Sequence, residues 1–202
     1  MKEKEKTLSD EDTEHVTLCK RGNIDAFEML VKKHQKRILN IAYRMLGNYE
    51  EACEITQDAF VSAYKGIRNF QEKSMFSTWL YSIVVNLSRN RLKQLKIKRY
   101  REEFSLDDPV FTDDGQIKVE HTSEESSILE KLEKKEIQQK VQGCIDSLDY
   151  EHKEIIVLRD IQGFSYDEMS DMLKVSEGTV KSRLFRARDA LKNCLKKVMG
   201  NL

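Results

Sequence analysis

Residues 165–188 read SYDEMSDMLKVSEGTVKSRLFRAR, and this stretch decides the fold of the C-terminal part of the chain. Ser165 and Ser176 are of a residue type that commonly caps the start of a helix. After Ser165, Met169, Met172 and Leu173 follow at helical spacing. Two capped helices joined by so short a turn predict a helix-turn-helix.

The second of these helices has two different faces. At about 100° per residue, an arc of about 80° collects the apolar residues Val180, Leu184, Ala187, Leu191 and Leu195. The opposite side, which we call the recognition face, carries Lys181, Ser182, Phe185 and Arg186. Arginine matches the edge of guanine, and an outward aromatic ring can contact a thymine methyl group. A merely solvated helix is the alternative, but the outward ring and seven basic residues against one acid over 181–197 favour DNA binding.

Composition restricts the rest of the chain to helices. Its 202 residues suffice for one ordinary domain or two small ones. One proline and eight glycines are too few for the turns of a many-stranded β protein. No apolar run could span a bilayer, and the start of the chain lacks the apolar core of a signal peptide. We therefore expect an all-α, cytoplasmic protein with no direct membrane insertion.

Helical spacing divides the chain into four parts. It predicts helices over 25–46, over 48–66 and from Trp79 to about Tyr100, which together make one compact domain. Residues 101–126 lack this spacing, and residues 102–136 hold twelve acids against four lysines, a net charge of −8. The predicted organisation is a flexible tail over 1–14, a helical domain over 15–100, a flexible acidic linker over 101–126 and a second helical domain over 127–202. We expect the linker to be disordered or loosely held in the free protein.

The helix predicted over 48–66 has an acidic face opposite its apolar stripe. This acidic face consists of Glu50, Glu54, Gln57 and Asp58, with Val61 among them. An acidic surface around an apolar residue is typical of a protein-binding face, and an ordinary solvated surface is the alternative. A metal-dependent nuclease would need a histidine or further acids from another element, and none is apparent.

The third predicted helix carries basic residues and follows an aromatic segment. Residues 89–101 hold seven basic residues and no acid, and FQEKSMFSTW (70–79) lies just before the helix. Basic residues attract phosphates, and aromatic rings stack on unpaired bases, so the pattern is typical of a single-strand binder. The rings could instead belong to the core, as we expect for Trp79.

The cysteines indicate neither a zinc site nor a disulfide framework. Cys19, Cys53, Cys144 and Cys194 are far apart and form no CxxC pair, so we expect them to be reduced and buried. His15 and Cys19 have helical spacing, but position 22 is a glycine rather than a third ligand. We expect neither a metal nor a cofactor.

Two blocks of the sequence resemble a known family. The run NYEEACEITQDAFVSAYKGIRNFQEKSMFSTWLYSIVVNLSRNRL (48–92) and the later run LRDIQGFSYDEMSDMLKVSEGTVKSRLFRARDAL (158–191) are similar to bacterial RNA polymerase sigma factors of the extracytoplasmic-function type. The resemblance implies that the first domain is sigma region 2, which recognises and melts the minus-ten element. It implies that the second is sigma region 4, which reads the minus-thirty-five element. No catalytic site is implied, because flipped bases are captured by a pocket and aromatic rings and promoter opening needs no nucleotide hydrolysis.

The resemblance also implies roles for individual residues. Those expected to bind polymerase are Glu54, Gln57 and Asp58. Those expected to hold minus-ten DNA are Phe70, Lys73, Phe76, Asn86, Arg89 and Asn90. Those expected to contact minus-thirty-five DNA are Ser165, Thr179, Lys181, Ser182, Arg183, Phe185 and Arg186. The implied partners are core RNA polymerase, promoter DNA and an anti-sigma factor.

Two positions depart from the family pattern. Ser170 stands where relatives usually have alanine, and Lys174 stands in the turn where they usually have glycine. A left-handed conformation at lysine costs about 1 kcal/mol relative to glycine, so we expect a slightly altered turn. The rival interpretation is a dimeric helix-turn-helix regulator that binds a palindrome. Such a regulator has no need of an acidic face and a basic, aromatic surface in one domain.

Overall fold

The computed structural model describes residues 11–103 and 128–200, and within these ranges every regular element is helical. The α-helices are α1 (Thr13–Lys20), α2 (Ile24–Leu46), α3 (Tyr49–Gly66), α4 (Phe76–Glu103), α5 (Ile128–Asp146), α6 (Tyr150–Ile156), α7 (Tyr166–Leu173) and α8 (Glu177–Met199). A 3₁₀ turn (Ile67–Asn69) follows α3, and a π-helical turn (Val157–Ile161) follows α6. The all-α prediction is confirmed. None of the described helices is long and apolar enough to cross a membrane.

The N-terminal domain is a bundle of α1 to α4 whose helix ends follow from the sequence. The Asn23 side chain accepts a hydrogen bond from the Ala26 amide, and the Asn48 side chain accepts one from the Glu51 amide. Gly47 ends α2 in the left-handed region, at φ 74°. Gly47 and Asn48 lie at the predicted boundary between the helices over 25–46 and 48–66, whereas the Asn23 cap was not predicted. Gly47 and Asn48 let α2 turn back into α3 so that their apolar stripes face each other.

Helix α1 is a difference from the sequence prediction, because the expected tail extends into it. Asp12 is buried, its carboxylate 2.7 Å from the His34 Nε2 atom and 2.7 Å from the Lys33 ammonium group. A flexible tail is therefore wrong for residues 11–14, whereas residues 1–10 lie outside the described residues. Local spacing could not reveal the burial of Asp12, because Lys33 and His34 lie more than twenty positions after it in the chain.

The C-terminal domain contains α5 to α8 and forms the predicted helix-turn-helix. Ser165 and Glu168 make a reciprocal capping box at the start of α7, and the Ser176 side chain accepts from the Thr179 amide at the start of α8. Lys174 adopts φ 55° and ψ 46°, so the turn stays left-handed without glycine. The Ser170 hydroxyl donates to the Val175 carbonyl across the same turn. The two family departures therefore lie together, and the serine supplies a hydrogen bond that helps hold the strained lysine.

The cysteines correct the sequence prediction. Cys144 near the end of α5 and Cys194 on α8 form a disulfide, with Cα atoms 5.7 Å apart. Of the two free cysteines in the described ranges, Cys19 is buried but Cys53 is exposed. The expectation of four reduced, buried cysteines is therefore wrong for Cys53, Cys144 and Cys194. Cys144 and Cys194 are 50 positions apart in the chain, so the sequence does not show that they meet between α5 and α8.

The predicted linker falls largely outside the described residues. Helix α4 continues through Glu103 and so includes the first three predicted linker positions. The remaining positions up to 126 are not among the residues described.

Candidate polymerase and nucleic-acid interfaces

The acidic face lies on α3 and points to solvent. Glu54, Gln57 and Asp58 are all exposed, and so is Val61. The Arg91 guanidinium on α4 donates to the Glu54 carboxylate at 2.8 Å and also pairs with Glu51. The hydrogen bond to Glu51 is the main cause of a raised pKa of Arg91, and the nearby charge of Glu54 adds to it. The helix thus presents carboxylates whose charge is only partly balanced from within the domain.

An open aromatic pocket lies where α3 ends and α4 begins. Its volume is about 340 Å³, and it is lined by Gly66, Asn69, Phe70, Gln71, Lys73, Ser74 and Trp79. The rings of Phe70 and Trp79 stack with centroids 4.7 Å apart. A Cβ atom on Gly66 would come within 3.2 Å of the Trp79 ring, so glycine permits this close approach. Because a stacked pair forms part of the wall, the pocket can receive a flat ring.

Two predicted minus-ten aromatics have different surroundings. Phe70 lines the aromatic pocket, although most of its ring is buried. Phe76 is only 1% exposed and packs beside Phe70, Trp79 and His34 in the core. The structure does not present Phe76 to DNA, so its assignment as a minus-ten contact is corrected to a core residue. Trp79, expected in the core, is partly exposed and forms part of the pocket wall.

The polar side of α4 brings Asn86, Arg89 and Asn90 onto one helix face. Both asparagines are exposed. Arg89 is engaged, because its Nη2 and Nε atoms donate to one oxygen of Glu154 at 2.7 and 3.1 Å. Burial raises the pKa of Glu154, and the arginine opposes that shift without cancelling it. Nothing in the sequence pattern pointed to Glu154, which lies on the inner side of the short helix α6.

The recognition face of α8 points to solvent. Phe185 is 76% exposed, and Arg186 beside it is also exposed. Lys181 pairs with Glu177 at 2.9 Å, and the Ser182 hydroxyl donates to the Thr179 carbonyl. The opposite side of the helix buries Val180, Leu184 and Ala187. The helix therefore presents an arginine and a bare aromatic ring from a rigid, well-packed base.

Three predicted minus-thirty-five residues are engaged within the domain. The Ser165 hydroxyl belongs to the α7 capping box, and the Thr179 hydroxyl lies 2.9 Å from that of Ser176. Arg183 is partly buried and pairs with Glu151 of α6 at 3.2 Å. These three lie beside the recognition face rather than at its centre. In the described ranges no group of three or more His, Cys, Asp or Glu residues could hold a metal ion.

Comparisons with known proteins agree with the two-domain arrangement. Residues 30–97 match the family model described as Sigma-70 region 2, and residues 138–191 match Sigma-70, region 4. The chain is 34% identical to the ECF RNA polymerase sigma factor SigW of Bacillus subtilis, covering 88% of this chain and 92% of that protein. It is 30% identical to the RNA polymerase sigma-H factor of Pseudomonas aeruginosa, covering 94% and 96%.

The chain belongs to the extracytoplasmic-function sigma factors. Among solved structures it is similar to the sigma factor RpoE in complex with the anti-sigma factor NepR from Bartonella quintana, with a TM-score of 0.63 and 25% identity. That match covers 86% of this chain and 98% of the other.

Membership of this family fixes the general activity. A sigma factor binds core RNA polymerase and promoter DNA and directs promoter-specific initiation through the minus-ten and minus-thirty-five elements. It is not an enzyme. The sequence predictions of the family, of this function and of these two partners are confirmed. The dimeric-regulator interpretation is set aside, because region 2 and region 4 both match in one chain.

Proposed function

We propose that this sigma factor divides its work among three surfaces. The acidic face of α3 binds core polymerase, the aromatic pocket and the polar side of α4 hold the minus-ten strand, and the recognition face of α8 reads the minus-thirty-five element. The observation that carries the proposal is Phe185, a 76% exposed ring beside Arg186 on a helix whose other side is fully packed. The ring lies on the same face as Lys181, Ser182 and Arg186, whose side chains suit base edges and phosphates, so the ring and these polar groups together form a surface suited to DNA.

The acidic face supports polymerase binding through its charge and its exposure. Glu54, Gln57 and Asp58 offer three polar side chains around the exposed Val61. A partner with a basic, partly apolar surface would complement this pattern. It would also compete with Arg91 for the Glu54 carboxylate, so polymerase must supply at least one cation there.

The aromatic pocket supports capture of one unstacked base. Removing a base from the duplex costs a few kcal/mol, and stacking on an aromatic side chain returns about 1–3 kcal/mol per base. The partly exposed Trp79 ring, stacked on the buried Phe70 ring, supplies that stacking surface, and Lys73 at the rim can pair with a phosphate. Asn86, Arg89 and Asn90 extend the binding surface along α4. Phe76 acts only by holding the pocket in place.

The recognition face supports reading of duplex DNA. Arg186 is suited to the guanine edge and Phe185 to a thymine methyl group, while Lys181 and Ser182 can contact bases or phosphates. Ser165 and Thr179 sit at the starts of two helices, where they orient α7 and α8 toward the phosphates. Arg183 fixes α8 on α6 through Glu151.

Reconstituted transcription tests the division of work. Full-length protein is combined with core polymerase and a library of randomised promoters, and the transcripts are sequenced. Glu54→Lys with Asp58→Lys should abolish holoenzyme formation without changing helical content, because exposed charges contribute little to stability. The matched control, Glu14→Lys with Glu28→Lys, reverses two exposed acids elsewhere in the same domain and should transcribe normally. Unchanged polymerase binding by the Glu54, Asp58 variant would refute the acidic-face assignment.

The remaining expectations are part of the same proposal. The N-terminal domain is taken to begin by Asp12 and to end with α4 at Glu103, the C-terminal domain as 127–202, and the acidic linker as the residues between them. The protein acts in the cytoplasm, where bacterial promoters are transcribed, and cell fractionation tests that location. An anti-sigma factor regulates it, as the RpoE complex with NepR suggests by analogy. A purified candidate should form a stoichiometric complex and compete with core polymerase. A candidate that binds without competing would not act as an anti-sigma factor.

A further inference from the structure

The last turn of α1 contacts the loop over 70–75, which joins the 3₁₀ turn to α4 and which we call the pocket loop. The Lys20 ammonium group pairs with the Glu72 carboxylate of this loop. It also lies 5.7 Å from the centre of the Phe70 ring. One side chain of the first helix therefore contacts the pocket loop at two places. The aromatic pocket takes four of its lining residues from this loop: Phe70, Gln71, Lys73 and Ser74.

Glu72 has an uncommon backbone conformation between two lining residues. Its φ is 55°, in the left-handed region that favours glycine, and the pocket loop contains no glycine. This conformation turns the chain between Gln71 and Lys73, which both line the pocket. Because it is unfavourable for a residue other than glycine, neighbouring contacts must hold it in place. The ion pair with Lys20 is such a contact, made by the side chain of Glu72 itself.

Helix α1 can hold the pocket loop because its other end is also fixed. Asp12, at the start of α1, is buried and lies 2.7 Å from the His34 Nε2 atom of α2. The His34 ring lies 5.8 Å from the Phe76 ring, and Phe76 packs beside both stacked rings of the pocket wall. Helix α1 is thus joined to the core beneath the pocket through Asp12 and to the pocket loop through Lys20.

We propose that Lys20 and Glu72 are positioning residues for minus-ten DNA, and that their ion pair sets which base the aromatic pocket accepts. The pair holds the pocket loop so that Gln71 and Lys73 both line the site. There the Gln71 amide can donate to and accept from the edge of an unstacked base, and Lys73 can pair with its phosphate. This inference rests on the proposed capture of a base in the pocket.

Glu72 gives the sharpest test, because charge and positioning predict opposite results. Glu72→Gln keeps the size of the side chain and removes a negative charge beside the DNA, which by charge alone would strengthen binding to phosphates. If the ion pair positions the loop, Glu72→Gln holoenzyme should instead bind a promoter pre-melted over the minus-ten element at least about 5-fold less tightly, because stacking of one base is worth about 5- to 150-fold in affinity. Base preference should relax at one minus-ten position. Lys20→Gln should behave in the same way.

The measurement selects pre-melted promoters, randomised over the minus-ten element, with holoenzyme made from each full-length variant. Lys20→Glu with Glu72→Lys re-forms the ion pair with its charges exchanged and should restore the wild-type base preference. Glu28→Gln breaks the exposed Glu28–Lys32 pair, whose residues do not line the pocket, and is the matched control. Circular dichroism should show that these variants are folded, because exposed ion pairs contribute little to stability.

Ser74→Trp separates this inference from the pocket assignment, because a ring at the partly exposed position 74 would fill the pocket. If Ser74→Trp loses the base preference while Glu72→Gln keeps wild-type affinity and preference, the positioning role is overturned and the pocket assignment stands. Tighter binding by Glu72→Gln, or an exchanged pair that does not restore the preference, also overturns the positioning role. If Ser74→Trp keeps the wild-type preference, base capture in this pocket fails, and the inference fails with it.

Discussion

Helices α4 and α8 are both long and basic, yet they present their charges differently. Along α4, Arg89 is paired with Glu154 and Arg91 with Glu51 and Glu54. On α8, Lys181, Arg183 and Arg188 are also paired with acids, but Phe185 and Arg186 are exposed. No hydrogen bond or ion pair of Arg186 is seen among the described residues. The number of basic residues in a helix therefore does not show whether those residues are free to bind DNA. The partners of each cation decide it, and in α4 those partners come from two other helices.

The two helices also differ in how they are anchored. Helix α4 is held by packing in the bundle, whereas α8 has an additional covalent link through Cys194 to the end of α5. The covalent link lies far along α8 from the recognition face. It therefore fixes the helix without touching the residues proposed to read DNA.

The largest expected effect compares the two phenylalanines. Phe76→Ala removes a core ring and should lower the free energy of unfolding by about 3–5 kcal/mol. Phe185→Ala removes an exposed ring and should change it by no more than about 0.5 kcal/mol, while weakening promoter binding. Urea unfolding followed by circular dichroism measures both. Equal losses of stability in the two variants would mean that Phe185 packs against the domain rather than facing solvent.

The next effect concerns the covalent anchor of α8. Cys194→Ser should destabilise the C-terminal domain by about 2–4 kcal/mol, because the disulfide closes a loop of about 50 residues in the unfolded chain. A thiol reductant should have the same effect on the wild-type protein and none on the variant. Cys53→Ser changes an exposed, free cysteine and is the control. Identical unfolding curves for oxidised and reduced wild type would show that the disulfide contributes nothing.

A smaller effect tests whether exposed Arg186 on α8 reads bases. A bidentate contact between arginine and guanine is worth about 1–3 kcal/mol of discrimination, so Arg186→Ala should relax base preference at one or two minus-thirty-five positions. Lys192 lies further along the same helix. Lys192→Ala should weaken binding to all DNA sequences equally or not at all, and any loss of affinity should shrink at high salt. Holoenzyme selection from randomised duplexes at two salt concentrations compares them. Uniform loss of affinity in Arg186→Ala would make this residue a phosphate contact.

The smallest effect is a pH dependence from Glu154. Desolvation raises the pKa of its carboxyl group; Arg89 and Arg183 lower it, and Glu151 adds to the rise. The stability that Glu154 contributes is therefore complete below the ordinary glutamate pKa of about 4.5 and is lost as pH rises through the raised value. Glu154→Gln should flatten unfolding free energy across that window and be at least as stable at pH 7. Parallel pH profiles for the variant and wild type would contradict this.

Helix periodicity and capping predicted most of the fold. Asn48, Ser165 and Ser176 cap helices at the predicted starting points, because an N-cap depends only on the next three residues of the chain. The contacts that the sequence could not reveal are those between distant segments. The disulfide spans 50 positions and the Arg89–Glu154 pair spans 65, and neither leaves a local pattern. The same limit explains Phe76, whose burial depends on packing against α2 and Phe70.

The difference between the paired Arg89 on α4 and the exposed Arg186 on α8 is tested most directly by measuring how the same protein binds duplex and single-stranded DNA. Fluorescent probes carrying a selected minus-thirty-five duplex or a single-stranded minus-ten segment are titrated with the free full-length chain and with the holoenzyme. The duplex should bind the free chain measurably, whereas the single strand should bind well only to the holoenzyme, because Arg89 of α4 is paired with Glu154 in the free chain. Equally tight binding of the single strand by the free wild-type chain and the holoenzyme would show that the DNA surface of α4 is not occupied, and would contradict the account.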